Sequence, residues 1–85
     1  MKTFSYVIKD EIGIHARPAG LLVKEAKRFK SKITLKVNGK SVEATKLMAI
    51  MGLGIKKDQM VEVEIDGEDE NNAYDEIKAF FEQNL

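Results

Sequence analysis

The stretch GIHARPAG, residues 13 to 20, gathers the only histidine and the only proline of the chain around an arginine. Each of these types has a use at a helix start. Proline suits the first turn, where its missing N–H leaves no bond unmade; Pro18 therefore places His15 and Ala16 at or just before the first helical residue. No Ser, Thr, Asp or Asn stands between Gly13 and Arg17 to cap the free N–H groups of that turn. A start of this kind turns donors and a partial positive charge outward and suits an anion. The backbone of Ala16 and Arg17 would supply the donors, and the Arg17 guanidinium can grip two oxygens of a phosphate or carboxylate at once. A neutral imidazole in that setting is a nucleophile near pH 7 that can take a phosphoryl group as a covalent adduct. The helix end and Arg17 would stabilise the anionic centre in transit. Such a site suits a shuttle rather than a hydrolase. The residue types alone leave a plainer reading open: solvated His15 and Arg17, a start signal at Pro18, and Gly13 and Gly20 serving turn geometry and helix packing.

The elements that must position this stretch follow from periodicity. FSYVI alternates, with Phe4, Tyr6 and Ile8 on one face of a first strand. PAGLLVKEAKRFK sets Ala19, Leu22, Val23, Ala26 and Phe29 at helical spacing, and the opposite face, Arg17, Leu21, Lys24 and Arg28 with Lys27 beside it, is mostly basic. KITLKVNGKSVEA is a hairpin: Ile33, Leu35 and Val37 alternate, Asn38-Gly39 supplies a type I′ turn, and Val42 and Ala44 return. TKLMAIMGLG is a short apolar helix that Gly52 and Gly54 bring to an end, with Thr45 as its expected cap. It holds more apolar residues than one face readily buries, so Ile50 is assigned to the core and Met48 and Met51 to an exposed, adaptable patch; the alternative is that Leu47, Met48, Ile50 and Met51 all pack inside, methionine being also a common core filler. MVEVEID is a last strand with Val61, Val63 and Ile65 inward, and a closing helix carries Ala73, Ile77, Phe80 and Phe81 on one side. Asp69 and Glu70 suit the positive end of that helix. The order β-α-β-β-α-β-α predicts an α+β fold, one mainly antiparallel sheet covered by helices on one face with the other face wet.

Composition narrows the function classes. The chain has 85 residues, enough for one small domain spanning residues 1–85. Its 14 basic and 14 acidic side chains balance, which gives no bulk attraction to nucleic acid or anionic membrane. Their distribution is uneven: residues 1–40 carry ten Lys/Arg against three acids and residues 41–85 four against eleven. One positive face and an acidic partner are expected. The absence of cysteine excludes disulfides and thiolate chemistry, and a single histidine leaves a zinc site short of ligands. Neither a cofactor nor a metal is expected. The run before Lys9 and Asp10 is too short for a signal peptide and LMAIMGLGI too short to span a bilayer; a cytoplasmic location without membrane insertion is expected. GLGIKK lacks both the spacing and the hydroxyl residue of a phosphate-binding P-loop. Most of the six aromatics are wanted by the core, which counts against RNA binding.

Taken together, GIHARPAGLLVKEA, NGK, KLMAIMGLGI and GEDENNA resemble the HPr family, the histidine-containing phosphocarrier proteins of the bacterial phosphoenolpyruvate-dependent sugar phosphotransferase system. The resemblance runs from Met1 to Leu85 without a sizeable gap. It implies an open-faced β-sandwich, a four-stranded antiparallel sheet covered on one face by three helices. It also implies phosphorylation of His15 on Nδ1 by enzyme I, transfer to the EIIA domains of sugar permeases, and an Arg17 contact to the phosphate. That is a carrier with a transient phosphohistidine rather than a stand-alone enzyme, and a monomer. The implied docking face combines Ala16, Gly20, Leu21, Lys24 and Lys27 with Leu47, Met48 and Met51. A non-transporting regulatory or docking module of the same fold is the competing expectation. Two positions depart from the family pattern. Lys46 stands where many Gram-positive members have a serine phosphorylated by a regulatory kinase, so that switch is expected to be missing. Ile12 stands where relatives often have Ser or Asn, and it cannot hydrogen-bond the histidine through its side chain.

Overall fold

The computed structural model describes residues 1–85. Its elements run β1 (Lys2–Val7), α1 (Ala16–Ala26), β2 (Lys32–Val37), β3 (Lys40–Glu43), α2 (Leu47–Gly52), β4 (Met60–Asp66) and α3 (Glu70–Asn84). The four strands form one sheet in the order β1-β4-β2-β3, with every neighbouring pair antiparallel. The expected β-α-β-β-α-β-α order and open antiparallel sheet are therefore present.

Alternation decides which face meets the helices. Phe4, Ile33, Leu35, Val37, Val61, Val63 and Ile65 point into one cluster with Ala19, Leu22, Ala26, Ile50, Ala73, Ile77 and Phe81 from the helices. Opposite them, Lys36 reaches Glu64 at 2.7 Å and Lys32 reaches Glu43 at 3.9 Å across the wet face. α1 packs beside both α2 and α3, α3 rests over β1 and β4, and α2 leans on β3. Under α3, Phe81 meets Phe4 and Tyr6 edge-on with centroids 5.6 Å from each.

Turn chemistry follows the sequence closely. Asn38 (φ 52°) and Gly39 (φ 78°) both take positive φ, as a type I′ turn requires. Gly54 (φ 61°) follows α2 in the left-handed conformation that closes many helices.

Several local expectations are corrected. α1 ends at Ala26, short of Phe29. Beyond Lys27 the bonds shorten to three-residue steps, Arg28 N–H to Glu25 C=O (3.1 Å) and Phe29 N–H to Ala26 C=O (3.3 Å). This tight exit leads to Asp69, whose carboxylate accepts from the Lys30 N–H (2.9 Å), the Ser31 N–H (2.9 Å) and the Ser31 hydroxyl (2.5 Å). Asp69 thus ties the α1–β2 connection to the start of α3, beyond complementing a helix end. Those donors, the Ser31 hydroxyl foremost, hold its carboxyl below the usual carboxylate range. Thr45 is not the cap of α2: Lys46 occupies that position, with no side-chain cap bond. Gly20 meets no close neighbour; a Cβ there would find nothing within 4 Å.

Candidate functional site

Residues 8 to 15 carry the chain from β1 to α1, and four separate anchors fix their course. Ile8 N–H donates to Gln59 C=O (3.0 Å), and Lys9 and Asp10 N–H both donate to the Leu85 main-chain oxygen (2.7 and 2.9 Å). Asp10 then closes a turn on itself, accepting Ile12 N–H at Oδ1 (2.9 Å) and Gly13 N–H at its carbonyl (3.0 Å). Last, Ile14 N–H donates to Ile55 C=O (3.0 Å), and the Ile14 side chain is buried. Gly13 makes that final approach possible. Its φ is +82°, and a Cβ there would lie 2.3 Å from the Ile55 carbonyl oxygen and 2.7 Å from Lys56 Cα.

His15 follows this rigid approach as the N-cap of α1. Its backbone is extended (φ −110°, ψ −176°), its carbonyl accepts Ala19 N–H (2.9 Å), and its side chain makes no cap bond. Pro18 is buried in the first turn. No protein group accepts the N–H of Ala16 or Arg17. Two donors therefore stand free at the positive end of an eleven-residue helix. The imidazole is half-buried and Arg17 is exposed. His15 and Arg17 line a shallow depression of about 230 Å³ together with Asp10, Pro18, Leu21 and Asn84.

Charge around the depression is unevenly spent. Arg28 pairs with Glu25 and lies over the Phe29 ring, whereas Arg17, Lys24 and Lys27 enter no ion pair. The free cations of α1 thus begin beside His15 and continue along one helix. On the adjoining α2, Ile50 is fully buried while Met48 is 80% exposed, with Leu47 and Met51 near 40% and Leu21 of α1 at 44%. The division of α2 expected from its surplus of apolar residues is the one found. Gly20, between Leu21 and the helix start, is half-exposed.

Two lining residues escaped the sequence. Asp10 was not among the expected site residues, although it lies in the loop that leads to His15 and lines the depression with it. Asn84 arrives from the far end of the chain by tertiary packing of α3, and its amide donates to Phe80 C=O (3.1 Å). No group of three His, Asp or Glu side chains gathers as a metal site, and no helix is long and apolar enough to cross a membrane.

Comparisons with known proteins agree with one another. A family model described as the PTS HPr component phosphorylation site matches residues 2–83. The phosphocarrier protein HPr of Mycoplasma genitalium is 42% identical over 85 residues, 99% of this chain and 97% of the relative. Among solved structures, HPr of Thermoanaerobacter tengcongensis superposes with a TM-score of 0.92 at 36% identity, covering 98% of this chain and 93% of that one. Crh of Bacillus subtilis, described as a catabolite repression protein in an intertwined dimer, gives a TM-score of 0.78 at 34% identity, covering 94% and 92%.

Proposed function

The chain belongs to the HPr family of phosphotransferase-system phosphocarrier proteins, and from that premise we propose that His15 accepts a phosphoryl group from enzyme I and passes it to EIIA domains of sugar permeases. The observation that carries this reading is the convergence of a half-buried imidazole, two unpartnered backbone N–H groups and an unpaired guanidinium at the head of α1.

The chemistry needs little else. A lone pair of the neutral ring forms the N–P bond at Nδ1 as the donor's bond to phosphorus breaks, the donor keeping that electron pair. The other ring nitrogen retains its proton. Charge on the three phosphoryl oxygens is met by the Ala16 and Arg17 amides, fixed before reaction and so requiring no reorganisation, and by the exposed Arg17 guanidinium, which no ion pair holds elsewhere. Passing the group on is the same step in reverse with a different acceptor.

Docking uses the surface around the depression. Ala16, Gly20, Leu21 and Lys24 of α1, Lys27 just beyond its end, and Leu47, Met48 and Met51 of α2 form its contact face. The soft apolar side chains adapt to more than one partner, and the unpaired cations steer acidic surfaces toward His15. The chain acts as a cytoplasmic monomer in this reading, which sedimentation at micromolar concentration checks.

The test is incubation with enzyme I and labelled phosphoenolpyruvate. The native chain should take an acid-labile, base-stable label that moves to an EIIA domain, and the His15→Ala variant should take none. An unlabelled native chain would leave only the non-transporting docking module.

A further inference from the structure

Asp10 has no place in the transfer chemistry above, yet it lines the depression together with His15 and Arg17. It is held firmly there. Its N–H is bound to Leu85, its carbonyl to Gly13 and its Oδ1 to the Ile12 N–H. It also lacks a neutralising partner, since neither Arg17 nor any lysine forms an ion pair with it. A phosphoryl group on His15 would therefore bring about two negative charges into a depression that Asp10 also lines.

We propose that Asp10 is an electrostatic counterweight that raises the phosphoryl-transfer potential of phosphorylated His15. The amides of Ala16 and Arg17 and the Arg17 guanidinium favour the adduct, and Asp10 opposes it. An acceptor bound too well would not pass its cargo on, and like charge beside a phosphoryl group is a direct way to loosen it. The proposal rests on the carrier reading and concerns the position of the equilibrium rather than the existence of the adduct. For a separation on the order of 6 Å, Coulomb repulsion between a dianion and a unit charge in a water-like medium changes the equilibrium about threefold at 0.15 M salt. The factor rises to about sevenfold at 0.01 M.

The experiment is a competition. Isotopically heavy native chain and Asp10→Asn are mixed in equal amounts with limiting phosphoenolpyruvate and catalytic enzyme I, and intact mass reads the phosphorylated fraction of each at equilibrium. Asparagine keeps an Oδ1 acceptor for the Ile12 N–H, so the turn is preserved while the charge is removed. The variant should hold the phosphoryl group about threefold more at 0.15 M salt and about sevenfold more at 0.01 M. Asp75→Asn, on the early part of α3, should give a ratio of one at both salts. A ratio of one for Asp10→Asn, a ratio that salt does not move, or an equal shift in Asp75→Asn would overturn the proposal. If neither chain is phosphorylated, the carrier reading itself has failed, which is a distinct outcome.

Discussion

Replacing Gly13 with alanine tests how His15 is held without touching it. Three costs can be read from the structure. An L side chain at φ +82° costs about 1–2 kcal/mol. The new Cβ, 2.3 Å from the Ile55 carbonyl oxygen, cannot coexist with the Ile14–Ile55 hydrogen bond, worth about 1 kcal/mol. Displacing backbone at buried Ile55 adds overpacking of about 1–2 kcal/mol. The sum is about 3–5 kcal/mol, against a total on the order of 4–13 kcal/mol for a chain of this length. Urea unfolding followed by circular dichroism should show the midpoint falling with little change in slope. Under conditions where the variant is folded, its phosphorylation by enzyme I should be slower by more than about tenfold, because misplacement by about 1 Å is enough to cost that much. Gly20→Ala is the matched control: its Cβ enters open space within a helix, so stability should rise by about 0.5–1 kcal/mol. A loss below about 1 kcal/mol in Gly13→Ala, or normal phosphorylation of a variant that is destabilised as computed, would refute the idea that this glycine sets the approach of the loop to Ile55 and so the place of His15.

Arg17→Lys should slow phosphoryl transfer by about tenfold or more while leaving the unfolding midpoint unchanged, because the exposed guanidinium forms no ion pair in the free protein and its fork is lost with the substitution. On α2, Met48→Ser should weaken partner binding, measured by titration calorimetry, with stability altered by no more than about 0.5 kcal/mol, whereas Ile50→Ala should cost about 2–5 kcal/mol. Asp69 gives a pH signature: its folded-state carboxyl lies below the ordinary value, so its contribution is full above about pH 4 and is lost as pH falls through the depressed value. The stability gap between the native chain and Asp69→Asn should accordingly close on acidification, and a gap that widens would contradict the assignment. Lys46, exposed at the start of α2, should leave the chain unlabelled on residues 45–46 by ATP and the regulatory kinase of Gram-positive relatives.

The fold was largely legible because its signals are local and mutually consistent. Asn38-Gly39 fixes one hairpin, period-two alternation in MVEVEID fixes the face of β4, and the excess of apolar residues in LMAIMG favours leaving some outside, as the exposed Met48 shows. What could not be read were features made by distant segments meeting. Asp69 looks like a helix-end acid until Lys30 and Ser31 arrive with three donors. Thr45 looks like a cap, but Lys46 holds that position with its backbone extended at φ −111° and ψ 97°. Phe29 has helical spacing, yet the chain must turn early to bring Ser31 to Asp69.

The site divides in the same way. His15, the uncapped turn and Arg17 are contiguous, so their meeting at one helix end was visible in eight letters. Their placement depends on Ile55, Gln59 and Leu85, none of which carries chemistry and all of which act through backbone oxygens. Main-chain acceptors leave no trace in side-chain types, which is why the anchoring of the loop was invisible while its cargo was plain. The same division shapes what mutation can do. Gln59 and Leu85 hold the loop through backbone oxygens, while their side chains serve other contacts, Leu85 in the core and Gln59 accepting the Lys56 N–H. Gly13 is the exception, because there the absence of a side chain is itself the structural element.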